Sequence, residues 1–196
     1  YHERACRPDL SLFLAKLSPF SAKHDARHME ALLKGGRYLK GTADMPLIYR
    51  KSMGKQEEFN LVMFTDATWA SEPETKRSMS GWVIFLNGNN VSSASKRQDC
   101  VALSSTEAEV IAVSEGCKDL IHIYQLTSGV TKVKLPMRVM VDNQATIALL
   151  KNPVNNRRSK HIDVRHMWVR ELVENGMVSL HYVRTDENIA DYLTKP

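Results

Sequence analysis

Cysteine is scarce in this chain. Its 196 residues hold three, Cys6, Cys100 and Cys117, an odd number with no paired short spacing. That argues against a disulfide framework and a cysteine zinc site, and for a reducing compartment. Long apolar runs are also missing. No stretch approaches the ~18–20 residues that cross a bilayer, so no membrane partner is expected. The opening YHERACRPDL is charged and lacks the apolar centre of a secretory signal. Internal repeats and low-complexity segments are absent. Neither sign of charge dominates: 27 Lys+Arg against 22 Asp+Glu leave a net charge of +5. That balance alone is weak evidence for nucleic acid. It gains weight if several of the acids are spent on one site, because the remaining surface is then more basic and attracts a polyanion. The chain opens on Tyr1 rather than Met, which predicts a piece of something longer.

What is present is enough to bury a good core, with 43% apolar and 25% charged residues. Residues 1–55 read as mostly helical. The stretch from Asp25 is rich in helix formers, and Met29, Leu32 and Leu33 recur at helical spacing. Gly35 and Gly36 are expected to interrupt it, and Gly41 to close the next turn. Leu47, Ile48 and Tyr49 predict a short strand, followed by a polar linker from Lys51. From Phe59 the pattern changes. Strands are expected over 59–66, 78–86 and 91–96, with the Asn87-Gly88 turn joining the last two as a hairpin. A long helix is expected from about Thr106 to Tyr124, its core stripe being Val110, Val113, Cys117, Leu120 and Tyr124. Then come a strand over 137–141, a short helix over 144–150, a polar basic loop, an amphipathic helix over 162–173, a strand over 178–183 and a final helix from Asn188. The amphipathic helix sets Ile162, His166, Val169 and Val173 on one side. The expected fold class is α/β, with a mixed five-stranded sheet and helices on both faces.

Four carboxylates stand out. Asp66 and Asp142 each end an apolar strand, where α/β folds place their ligands. Glu109 is expected in the first turn of the long helix, where the helix dipole favours an acid. Asp191 lies in the final helical segment. Clustered acids raise one another's pKa unless a cation neutralises them. A site of four acids and little else suits hard divalent cations, and two such ions a few ångströms apart cut phosphodiester bonds by in-line water attack. Singly, each acid has an ordinary alternative as an Asx turn, a dipole-favoured helix start or a solvated residue.

Six ordered motifs change that balance. They are Thr65-Asp66-Ala67-Thr68-Trp69, Lys76–Trp82, Val101–Glu109, Val141-Asp142-Asn143-Gln144, Ser159–Asp163 and Ile189–Lys195. With these the chain resembles the ribonuclease H domain of Ty1/copia-type LTR retrotransposon polyproteins. Upstream, Arg7-Pro8-Asp9-Leu10 and Gly36–Gly41 resemble the segment that ends the reverse transcriptase of the same polyproteins. The resemblance implies a ribonuclease H-like fold over residues 56–196, preceded at 1–55 by a C-terminal reverse transcriptase or connection-like segment. It implies hydrolysis of the RNA strand of RNA–DNA hybrids with two Mg²⁺ ions, Mn²⁺ being a substitute, during reverse transcription. Asp66 would bridge both ions, Glu109 and Asp142 would complete one site, and Asp191 the other. Ser105, Thr106 and Gln144 would contact the hybrid, and Ser104 would hold a phosphate. Ser104–Thr106 is equally an ordinary helix-capping run. The partners implied are an RNA–DNA hybrid and the reverse transcriptase domain of the same polyprotein, in a cytoplasmic virus-like particle or the nucleus.

Other residues carry weaker signals. His161, in the basic segment with Arg157, Arg158 and Lys160, is a candidate proton shuttle or product-release group, with a structural helix-start role as its equal. Cellular ribonucleases H carry a mobile His in a loop before the last Asp; here Tyr182–Asn188 leads almost directly to Asp191. Lys96 and Arg97 are candidate phosphate contacts, while His166, Trp69 and Trp82 read as packing residues. Two other functions compete: a non-catalytic hybrid- or protein-binding module of the same fold, and an integrase or transposase. Loss of an acid would favour the first, and none is lost. The second typically has its Glu late on a helix, whereas here the Thr106–Glu109 motif comes early.

Overall fold

The computed structural model describes residues 6–51, 58–152 and 160–195, the side chains of 160–163 not included. Three strands open the sheet: β1 (Leu61–Thr68), β2 (Met79–Leu86) and β3 (Asn89–Arg97), paired antiparallel. The β2–β3 turn has Asn87 at φ 50° and Gly88 at φ 79°, the double positive φ that a two-residue hairpin favours. β4 (Met137–Val141) then pairs parallel with β1, and β5 (Val178–Tyr182) parallel with β4. The order across the mixed five-stranded sheet is β3-β2-β1-β4-β5.

Alternation along the strands sorts residues between two faces. On one face Leu61 and Met63 of β1 and Trp82 and Ile84 of β2 meet the long helix α3 (Ser105–Ser128), whose stripe of Val110, Val113, Cys117 and Leu120 is fully buried. Gly116 allows the close approach: a Cβ there would stand 2.7 Å from Met63 Sδ. The Trp82 indole N–H donates to Asp119 at 2.9 Å. Two further helices complete this layer, α4 (Gln144–Lys151) and α5 (Lys160–Glu174). Buried His166 ties them, its Nε2 lying 2.6 Å from the Leu149 carbonyl. The other face carries α1 (Ser11–Leu17) along β3 and a 3-10 helix, Ile189–Leu193, along β1 and β2. Helices therefore flank both faces. A groove of about 680 Å³ remains between α1, β2 and the 3-10 helix.

Several expectations fail for identifiable reasons. Helix α2 (Ala26–Gly41) runs unbroken through Gly35 and Gly36. Gly35 is buried against α1, with Phe13 ring carbons 2.6 Å from where a Cβ would sit, so helix packing outweighs the ~1 kcal/mol propensity cost of glycine. Asp25 caps this helix by accepting the N–H groups of Arg27 and His28. Met29, Leu32 and Leu33 are helical as expected but largely exposed. Leu47–Tyr49 forms no strand, because no neighbouring strand pairs with it, and Ile48 and Tyr49 face solvent. The final helix is 3-10 rather than α. Trp69 is half exposed, its indole N–H donating to the Ala102 carbonyl at 2.9 Å, whereas Trp82 is buried as expected. Lys96 is engaged by Glu115 at 3.0 Å.

Candidate metal centre

The parallel β1–β4 pairing sets Thr65 beside Val141. One residue further along, Asp66, which lies inside β1 rather than at its end because pairing with β2 carries the strand on to Thr68, sits side by side with Asp142 just past β4, about one strand spacing apart. The third acid comes from α3. Ser104 caps that helix by accepting the Glu107 N–H at 3.2 Å, and the Glu107 carboxylate accepts the Leu103 N–H at 2.8 Å. This reciprocal arrangement resembles a capping box and commits Glu107 to starting the helix. Glu109 therefore falls in the second turn, not the first. There it reaches the sheet end: its Oε1 accepts the Ala67 N–H at 3.1 Å. Asp66, Glu109 and Asp142 each place a carboxylate oxygen within 4.8 Å of the others.

Asp191 arrives differently. Asn188, fully buried, accepts the Ala190 N–H through Oδ1 and donates through Nδ2 to the Thr65 carbonyl at 3.0 Å. One side chain thus caps the 3-10 helix and pins it beside Asp66. Beyond it, the buried Thr194 hydroxyl donates to Asp66 Oδ2. Thr68 donates to the Thr194 carbonyl at 3.3 Å, and Ser95 to the Leu193 carbonyl at 2.6 Å. Gly81, paired with Asp66 across β1–β2, makes room for this segment: a Cβ there would meet Thr194 Cγ2 at 2.7 Å and Leu193 Cβ at 2.8 Å. Lys195 Nζ then lies 2.8 Å from Asp191 Oδ1 and 3.8 Å from Asp66 Oδ1.

The electrostatics follow from burial. Asp66 is pushed up to about 6, first by burial and further by Asp191 and Asp142, against the opposing Thr194 hydroxyl and Lys195. Glu109 is pushed up to about 9, again first by burial, then by Asp66 and Asp142. Burial works against the Lys195 ammonium, but the carboxylates of Asp191, Asp66 and Asp142 outweigh it and hold the group above its ordinary range. Glu109 is 5% exposed, and its Oε2 has no hydrogen-bond partner in the protein. Three converging acids, with an orphaned buried oxygen and only oxygen donors, fit a hard divalent cation.

All four acids are legible in the sequence, and three of them form the cluster. Nothing in the sequence alone gives Thr194, Lys195, Asn188 or Gly81 a role. The four-residue step from Asp191 to Lys195 is the one local signal that pointed to a contact. Ser104 is a helix cap, and the residues after it, Ser105 and Thr106, occupy the first turn of α3 with Ser105 exposed. Gln144 is exposed at the first position of α4, behind the Asn143 cap. Residues 157–159 and the side chains of Lys160 and His161 lie outside what the structure describes.

No family model matches the chain. It is 35% identical over 189 residues to the Retrovirus-related Pol polyprotein from transposon TNT 1-94 of Nicotiana tabacum, covering 96% of this chain. It is 29% identical over 161 residues to the Transposon Ty1-LR3 Gag-Pol polyprotein of Saccharomyces cerevisiae, covering 82% of this chain. The chain spans only 14% and 9% of those polyproteins. Among solved structures, LC11-RNase H1 in complex with RNA/DNA hybrid superposes with a TM-score of 0.51 at 14% identity, over 69% of this chain and 94% of that one. The relatives of this chain are thus Ty1/copia-type retrotransposon Pol polyproteins, of which it matches one segment, and its fold is that of ribonuclease H domains.

Proposed function

We propose that this chain hydrolyses the RNA strand of RNA–DNA hybrids, as an endonuclease dependent on two divalent cations, during retrotransposon reverse transcription. The observation that carries the reading is the convergence of Asp66, Glu109 and Asp142 within 4.8 Å, with the buried Glu109 Oε2 unpartnered. Bound there, Mg²⁺, or Mn²⁺ in its place, would supply activation of the attacking water and neutralisation of charge on the leaving oxygen. Asp66, Glu109 and Asp142 would hold one ion, and Asp66 with Asp191 a second. Thr194 fixes the orientation of the Asp66 carboxylate through its hydroxyl. The Ala67 N–H does the same for Glu109.

Hybrid selectivity has a place to arise. An A-like duplex offers 2′-hydroxyls across a wide, shallow minor groove. Ser105 and Thr106 stand one turn before Glu109, and Gln144 two residues after Asp142, so polar groups flank the acids on two separate elements. These are the proposed hybrid contacts, with Ser104 beside them as a phosphate contact. His161 keeps its proposed role in proton transfer or product release. Residues 1–55 are proposed as the end of the polymerase and 56–196 as the nuclease unit, acting beside the reverse transcriptase of the same polyprotein in a virus-like particle. Among the described residues no helix is long and apolar enough to cross a membrane.

The test is incubation with an RNA–DNA hybrid in chelator, followed by Mg²⁺ or Mn²⁺. The expected outcome is cleavage only after the metal is added, with 5′-phosphate and 3′-hydroxyl product ends. Tight hybrid binding without cleavage under either metal would instead favour a non-catalytic binding module.

A further inference from the structure

The four acids do not share one cluster on equal terms. Asp66, Glu109 and Asp142 gather around a common centre, while Asp191 stands outside it with its carboxylate on Lys195. The Lys195 ammonium also faces Asp66 Oδ1 at 3.8 Å, so a positive charge from the chain itself lies between the two acids expected to hold a second ion. Its position is built rather than incidental. The Lys195 N–H donates to the Asp191 carbonyl at 2.9 Å, closing a turn that brings residues 191 and 195 to one side. The Thr194 and Leu193 anchors on β1 and β3, and the space left by Gly81, hold that turn against the sheet. The Lys195 side chain is 45% exposed and has open solvent to move into.

Resting on the proposed function, we infer that Lys195 is a resident counter-cation that occupies the second ion position between Asp66 and Asp191. The two positions are then inequivalent. The first ion enters the Asp66–Glu109–Asp142 cluster without displacing a protein cation. The second must drive the ammonium away from two carboxylates, because two positive charges a few ångströms apart in a partly buried site repel strongly. Lys195 therefore separates the two affinities and keeps the second position closed at cation concentrations that fill the first. It is a positioning residue, acting through Asp191 and Asp66 without touching substrate.

The experiment is a Mn²⁺ titration of the full chain followed by electron paramagnetic resonance, at one fixed pH. It compares the native protein, Lys195→Met, Lys195→Gln and Asp142→Asn. Thermal melting checks that each is folded, and the second lysine variant guards against a fault peculiar to the first. The native protein is expected to bind one ion tightly and a second at least about tenfold more weakly; both lysine variants should tighten the second step about tenfold and leave the first unchanged. Equal second-ion affinity in native and lysine variants overturns the inference, as does native binding of two equivalent ions. In those cases, loss of the first ion in Asp142→Asn leaves the proposed function standing. Absence of bound Mn²⁺ in every protein overturns both.

Discussion

Asp66 is nearly inaccessible, yet it meets a hydroxyl, an ammonium and three further carboxylates, those of Glu109, Asp142 and Asp191. Thr194→Val keeps the shape of that neighbour and removes the hydroxyl that donates to Asp66. It is expected to cost about 1–3 kcal/mol in urea unfolding, the usual penalty for stranding a buried acceptor. Glu109→Gln should behave oppositely. With Glu109 pushed up to about 9, the metal-free protein at pH 7 already holds it neutral, so an amide changes little. Expected are a melting temperature close to the native one without metal, and loss of both Mg²⁺ stabilisation and cleavage. A large drop in metal-free stability would mean that Glu109 is structural. Asp66, Glu109, Asp142 and Asp191 were legible in the sequence because each sits in a distinctive local motif. The contacts of Thr194 and Lys195 with Asp66 were not legible, because Asp66 lies more than 120 positions away and only the tertiary register of the 3-10 helix brings them to it; the Asp191–Lys195 pair is the local part.

At the level of elements, strands were easier to read than the N-terminal helices. The apolar runs Leu61–Phe64 and Trp82–Leu86 and the Asn87-Gly88 turn are local signals that an antiparallel pair of strands satisfies. Gly35-Gly36 is a local signal for a helix break, overridden by a contact with Phe13 that no local pattern reveals. Leu47–Tyr49 has strand composition without a strand to pair with. The 3-10 helix at Ile189–Leu193 is the element on which the site depends most, since it carries Asp191 and leads to Lys195. Its seat is Gly81. A methyl group there would collide with two anchored side chains, so Gly81→Ala should cost about 1–3 kcal/mol in stability. Cleavage should fall further than that loss explains, because Asp191 is displaced from its place beside Asp66. Gly116→Ala, which presses on Met63 on the opposite face, is the control: similar destabilisation with cleavage retained in the folded fraction.

For the whole molecule, the acid cluster is a destabilising feature that metal offsets. Folding raises Asp66 from 3.8 to about 6 and Glu109 from 4.5 to about 9, so the folded state binds more protons than the unfolded chain between about pH 4 and pH 9. Stability of the metal-free protein must therefore fall as pH rises through that window. Acids held low by partners, such as Asp9 and Asp25, act the other way, but their effect is complete by about pH 5. The melting temperature without metal is expected to drop by about 10 °C between pH 5.5 and pH 8.5, and Mg²⁺ should restore more of it at pH 8.5 than at pH 5.5. A metal-free melting temperature that rises across this range would contradict the electrostatic account. The most direct test of the central claim uses one RNA–DNA hybrid end-labelled on either strand, with Mg²⁺, comparing the native chain with Asp66→Asn and Asp142→Asn. Cuts are expected within the RNA strand alone, abolished by either substitution; cutting of the DNA strand, or cleavage that survives both substitutions, would overturn the proposed function.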